Sequence, residues 1–189
     1  MNENKQAIET VLKQEIVGTT LPTAFEVYTK KLFGEERYNV FCKGLQQPSP
    51  VSIRLNPFKT SKTTKVTDSF APIPVPWCKE GFYLNARPNF TFDPLFHAGA
   101  YYVQEASSMF LSHVLRCLVR KPVALLDLCA APGGKTTCAR TSVPEESIVF
   151  SNEPINKRAQ ILAENVQKFG HSDVVVTPSK PSCSFQIGR

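Results

Sequence analysis

The sequence predicts an α/β protein in which one half of a doubly wound parallel sheet follows a smaller α+β region. Three observations carry this. Residues 123–177 run strand–helix–strand–helix–strand, the pattern of βαβ units. A Pro132-Gly133-Gly134 turn joins the first of these strands to its helix. Upstream, residues 48–84 hold only short apolar runs broken by prolines, which suits short strands and turns.

The 189 residues suffice for one ordinary domain or two small ones. Hydrophobic residues make up 42% and charged residues 20%, which excludes a disordered chain. The net charge of +6 suits a polyanionic partner such as nucleic acid, and equally suits an ordinary lysine-rich surface. Six cysteines occur and none forms a C-x-x-C pair, so no metal site is expected. The start, MNENKQAIET, lacks an apolar signal core, and no stretch approaches the roughly 18 apolar residues of a membrane span. The expectation is a cytoplasmic protein with reduced thiols, without membrane or metal.

In chain order, Ile8, Val11, Leu12 and Ile16 stand at helical spacing, predicting a helix over 4–17. Leu21-Pro22 opens a second helix with Phe25, Tyr28, Leu32 and Phe33 apolar; a third, over 33–45, points Phe41 and Leu45 inward. In PSPVSIRLNP (48–57), Val51, Ile53 and Leu55 alternate with Ser52 and Arg54, a strand bounded by prolines. Residues 58–69 form a basic loop with Lys59, Lys62 and Lys65. FAPIPVPWCKEGFYL (70–84) cannot be helical. A helix is expected over about 104–119, ended by Lys121-Pro122. VALLDLC (123–129) reads as a strand buried on both faces. A helix from Lys135, a strand over 147–151, a helix over 154–170 ending at Gly170, and a strand over 173–177 complete the pattern. The change of texture places a boundary near residue 95, giving domains 1–95 and 96–189.

LLDLCAAPGGKTT (125–137) resembles a phosphate-binding loop, but G-x-x-x-x-G-K-[ST] needs a glycine where Cys129 stands. An ATPase reading fails on that position. G-x-G-x-x-G spacing is absent too. In an open parallel sheet the ligand sits at the carboxyl ends of the strands, where glycines allow close approach. Glu153 ends the second strand, 19 residues after Gly134, where a carboxylate can accept hydrogen bonds from ribose hydroxyls. Turn and acid together suit a nucleoside-containing cofactor.

The turn resembles the D-x-C-A-A-P-G-G-K-T signature of the RsmB/Nop/Sun family of RNA cytosine-C5 methyltransferases, RsmF-like members in particular. SIRLNP (52–57) is similar to the family's R-x-N-P segment, HAGAYYVQEASSM (97–109) to its G-x-Y-x-V-Q-E-x-S-S segment, and NEPINKRAQILAENVQKFG (152–170) to its second acidic motif. The resemblance covers about residues 20–177. It implies an incomplete Rossmann-like methyltransferase domain behind a small α+β N-terminal domain, with S-adenosylmethionine as cofactor. Cys129, Ala130, Ala131, Pro132, Gly133, Gly134 and Lys135 would line the methionine and ribose part of the site. Glu153 would hold the ribose hydroxyls and Arg158 would steady the site, although a plain surface arginine fits that position as well. Gln104 and Ser107 would help close the pocket or cap their helix. Arg54, Lys59, Lys62 and Lys65 would contact RNA, rRNA before tRNA, or form a solvated loop.

The family's chemistry also needs a cysteine thiolate that adds to carbon 6 of cytosine and so activates carbon 5. That nucleophile stands in a T-C segment after a fifth strand, with a second cysteine in a D-x-P-C segment after a fourth. Neither strand nor segment is found here. The tail TPSKPSCSFQIGR (177–189) has Lys180 near the place of a family acid, and Cys183 lacks a supporting strand. The expectation is a truncated product, inactive alone, with VALLDLC left as an exposed sheet edge. The other reading is a non-catalytic RNA-binding fragment with a vestigial cofactor turn.

Overall fold

The computed structural model describes residues 21–59 and 72–179. The expected helix over 4–17, together with Lys62, Lys65, Lys180 and Cys183, lies outside the described residues. The chain divides between Ser49 and Pro50 into two compact units.

The first unit carries α1 (Thr23–Leu45), which opens after Pro22 and is interrupted at Gly34 (φ 77°, ψ 163°). The left-handed backbone there separates two helical segments, matching the two read from the sequence. The Phe41 ring centroid lies 6.2 Å from that of Phe25 and 6.0 Å from that of Phe33. Tyr38 is buried and donates from its hydroxyl to Glu26 Oε1 at 3.2 Å. Leu45, expected to point inward, is 55% exposed, because it lies in the last turn beyond this aromatic cluster.

The second unit holds two sheets. In the first, β1 (Val51–Leu55), β2 (Ile73–Pro74), β3 (Gly81–Leu84) and β4 (Tyr101–Val103) are antiparallel in the order β2-β3-β1-β4. Ile53 stands opposite both Phe82 and Val103 and anchors a core with Leu84, Ala100 and Tyr101. By the period-2 alternation of a strand, Ser52 and Arg54 face the other side. Because β4 pairs with β1, this sheet draws on residues to both sides of position 95. Between β3 and β4, a short 3-10 turn (Phe90–Phe92) leads into α2 (Pro94–His97), whose first turn is capped by Asp93 accepting from Leu95 N. α3 (Ala106–Leu118) buries Met109 and Ser112, and Ala106 O accepts from Trp77 Nε1 at 2.7 Å.

The second sheet is parallel, with β5 (Ala124–Asp127), β6 (Ile148–Asn152) and β7 (Val174–Thr177) in that spatial order. α4 (Gly134–Arg140) and α5 (Asn156–Phe169) are its crossovers. Leu162 and Val166 of α5 pack on Leu125, Val149, Val174 and Val176. The opposite face is open: Leu126 is 45% exposed, Ile148 43% and Val175 41%. This corrects the expectation that VALLDLC is buried on both faces. β5 pairs with β6 alone, and the described residues cover one face of it, so among the described residues the strand lies at the sheet edge, as expected.

The two sheets are joined at one corner. Asn56 Nδ2 donates to Gly99 O at 2.9 Å and to Phe169 O at 2.8 Å. Phe58 meets Phe169 edge to face at 5.6 Å. Arg140, 1% exposed, donates to Asp173 Oδ2 at 3.2 Å and lies 5.8 Å from the Phe58 ring centroid.

Candidate cofactor site at the glycine turn

β5 ends on Asp127, whose carboxylate organises the glycine turn. Its Oδ1 accepts from Cys129 N at 3.2 Å and its Oδ2 from Thr136 Oγ1 at 2.9 Å, so one side chain spans both ends of the turn. Ala130 N donates to Asn152 O at 3.1 Å, tying the turn to the end of β6. The Ala131–Pro132 peptide is cis. Gly133 has φ 113°, in the left-handed region that favours glycine. At Gly134 a Cβ would stand 3.3 Å from Tyr102 Cε1, so the missing side chain lets β4 approach the turn closely.

The second half of the site is Glu153, 2% exposed. Its Oε1 accepts from Ile155 N at 3.1 Å, and Arg158 Nη2 lies 3.3 Å from its Oε2. Arg158 also donates to Ala131 O at 3.4 Å, and Asn165 Nδ2 donates to Pro132 O at 2.8 Å. α5 therefore grips the turn and orients the carboxylate. The expected turn residues Cys129–Lys135, Glu153 and Arg158 are brought together, with Cys129, Pro132 and Lys135 exposed and Ala130 and Gly133 buried.

The basic residues are arranged otherwise. Arg54, expected on an RNA-facing surface, is 1% exposed. Its Nε donates to Gln104 Oε1 at 2.8 Å, and its Nη2 donates to Thr137 Oγ1 at 2.6 Å and lies 3.5 Å from Gly134 O. Burial pulls its pKa below the usual arginine value. This corrects the RNA-contact expectation for Arg54. β1 is a central strand with both faces covered, so the guanidinium lies behind the glycine turn. Lys59 is exposed, but its Nζ donates to Ala98 O at 2.9 Å and to Lys168 O at 2.7 Å. It thereby takes up a carbonyl from the last turn of α5, a position favourable to a cation. Ser107 Oγ, at the start of α3, lies 3.5 Å from Glu105 Oε2, a local contact. Gln104 is buried behind the turn, with its own backbone bonded to Ser52.

Among the described cysteines, Cys129 and Cys117 are exposed, whereas Cys78 and Cys138 are buried. Burial pushes both buried thiols up, away from the nucleophilic thiolate form. Thr137-Cys138, a Thr-Cys pair in sequence, is thus packing within α4. Reading the sequence missed Arg54, Thr137 and Asn165 as supports of the turn. The available signal was the alternation of Arg54 with Ile53, which puts it under the sheet.

Family models match two stretches: that for the N-terminal domain of 16S rRNA methyltransferase RsmF over residues 21–106, and that for 16S rRNA methyltransferase RsmB/F over residues 119–182. The ribosomal RNA small subunit methyltransferase F of Pectobacterium atrosepticum is 34% identical over 152 residues, covering 72% of this chain and 30% of that protein. Its counterpart from Escherichia coli O81 is 34% identical over 150 residues, covering 74% and 31%. The chain thus spans about a third of the length of these curated relatives. A solved methyltransferase homolog protein from Pyrococcus horikoshii has a TM-score of 0.68 at 29% identity, over 78% of this chain and 50% of that one. The two family models between them take in both sheets, the glycine turn and Glu153, and the chain belongs to the RsmB/F family of 16S rRNA methyltransferases.

Proposed function

We propose that the chain carries the cofactor-binding half of an S-adenosylmethionine-dependent RNA cytosine-C5 methyltransferase acting on rRNA in the cytoplasm. The observation that carries this reading is the pairing of an open glycine turn with a buried carboxylate at the carboxyl ends of two adjacent parallel strands. The names of the relatives favour small-subunit rRNA as the substrate. No described helix is long and apolar enough to cross a membrane.

The residues fit the cofactor. Glu153 is held by one backbone N–H and one guanidinium, and a carboxylate has about four acceptor positions, so capacity remains for two ribose hydroxyls. Cys129–Lys135 would line the methionine and ribose portion, with Gly133 and Gly134 keeping side chains out of the way. Arg158, 3.3 Å from Glu153 Oε2, would keep the carboxylate aimed. S-adenosylmethionine supplies an electrophilic sulfonium methyl. The basic stretch of Lys62 and Lys65 would face RNA, and the elements around the glycine turn would hold the cofactor.

Calorimetric titration with S-adenosylmethionine tests the reading. Saturable heat with the wild-type chain, and at least a tenfold weaker interaction for Glu153→Ala, is the expected result. A folded chain that gives no heat would remove it.

A further inference from the structure

Arg54 is among the largest fully buried side chains in the molecule, yet no carboxylate pairs with it among the described ion pairs. Taking a guanidinium out of water without a counter-charge is costly, and surrounding hydrogen bonds offset the cost only in part. The offset here is incomplete, since Arg54 Nη1 and Gln104 Nε2 are both buried with no hydrogen-bond partner among the described residues. Two orphaned donors side by side are unusual in a native interior and call for a reason other than stability.

The bonds that Arg54 Nη2 makes converge on the glycine turn. Its Nη2 reaches Thr137 Oγ1 at 2.6 Å, and Thr137 Oγ1 in turn lies 2.8 Å from Gly133 O and 3.3 Å from Gly134 O. Its Nε is fixed by Gln104 Oε1 at 2.8 Å. Gln104 is anchored to β1 at both backbone groups, N to Ser52 O at 3.2 Å and O from Ser52 Oγ at 2.6 Å. A rigid planar fork therefore runs from the antiparallel sheet to Thr137, 83 residues later, and through it to the two glycines. On the other side of the turn, α5 holds Ala131 O and Pro132 O.

We propose that Arg54 is a positioning residue of the cofactor site, setting the height of the Gly133–Gly134 turn relative to Glu153 through Thr137, with Gln104 fixing its rotation. This rests on the S-adenosylmethionine reading above and deepens it. The antiparallel sheet becomes the back wall of the site.

Titration calorimetry separates positioning from plain stability, because a partly unfolded sample lowers the stoichiometry while the folded fraction keeps its Kd. Wild type, Arg54→Lys, Arg54→Met, Gln104→Ala and Thr137→Val are titrated with S-adenosylmethionine, with Val166→Ala as a destabilised control in the α5 core. Arg54→Met and Thr137→Val are expected to raise Kd about tenfold at a stoichiometry near that of wild type. Arg54→Lys recovers part of this, and Val166→Ala leaves Kd alone. If the Arg54, Gln104 and Thr137 variants lose stoichiometry or melting temperature but keep the wild-type Kd, Arg54 is structural and the proposal fails. If Arg54→Met does not fold, Thr137→Val and Gln104→Ala decide on the same criterion. If wild type itself gives no heat while folded, the cofactor reading falls and the proposal falls with it; that outcome is distinct from variants that bind normally.

Discussion

Gly99→Ala is expected to be among the most damaging single methyl additions to this chain. Gly99 sits at φ +71°, where an L-residue is strained by about 1–2 kcal/mol. The added Cβ would overlap Lys168 O and stand 2.8 Å from Lys168 C. That carbonyl is backbone, held by Lys59 Nζ, and the next carbonyl, Phe169 O, is held by Asn56. Relief requires the α5 terminus to move away from residue 99, which breaks the bonds from Asn56 Nδ2 to Phe169 O and from Lys59 Nζ to Lys168 O at about 1 kcal/mol each. The sum is about 3–4 kcal/mol, or a drop in Tm on the order of 10 °C for a chain of this size. Gly170→Ala is the matched comparison. Its φ is +82°, but the atom that its Cβ meets most closely is Lys59 Cε at 2.8 Å, part of a flexible chain that swings aside. Strain alone predicts about 1–2 kcal/mol there. Urea unfolding of both variants, read by circular dichroism, gives the two values. Equal costs for Gly99→Ala and Gly170→Ala, or a cost below about 1 kcal/mol for Gly99→Ala, would show that the corner between the sheets is looser than these contacts require.

The same contacts predict three further outcomes. Asp173 is held below the ordinary carboxylate value by the Ser172 hydroxyl and then by Arg140. Its folded pKa is depressed, so its contribution is present above the unfolded pKa and is lost as pH falls through the folded one. Asp173→Asn should therefore lower the urea midpoint at neutral pH and narrow its difference from wild type towards pH 2–3, and a constant difference across that range would contradict the pairing. In cysteine labelling with iodoacetamide, Cys117 and Cys129 should react in the native chain while Cys78 and Cys138 wait for unfolding; early labelling of Cys138 would contradict its burial. S-adenosylmethionine should protect Cys129 and leave Cys117 unchanged, and equal rates with and without it would argue against Cys129 lining the site.

The parallel half of the fold was legible because its signals are local. α5 announces itself by Leu162 and Val166 one turn apart, with Pro154 before it and Gly170 at φ 82° closing it. β6 and β7 lie within a residue of their expected spans. The turn and Glu153 could be found because glycine and a strand-ending acid are needed at fixed places. β4 was not legible. Tyr101–Val103 is three residues long and exists as a strand only because β1, nearly fifty residues earlier, pairs with it. Arg54 was misread for a related reason. An arginine beside a lysine-rich loop looks like a surface charge, and only the assembled sheet shows that β1 has neighbours on both sides. The exposed face of β5 likewise depends on what packs against it, which no local pattern reports.

The Asn56 clamp also has a consequence for synthesis on the ribosome. Asn56 closes on Phe169, 113 residues later in the chain, so the corner between the sheets cannot form until α5 has emerged. At about 5–20 residues per second, that interval is on the order of ten seconds. For the first part of it β1 has finished translation but lacks β4 (Tyr101–Val103), and its apolar face is open to any holding factor; Thr137 and the α5 terminus follow later. Translation speed across the stretch between Asn56 and Phe169, as well as the residues themselves, is then expected to set how much newly made chain reaches the folded state.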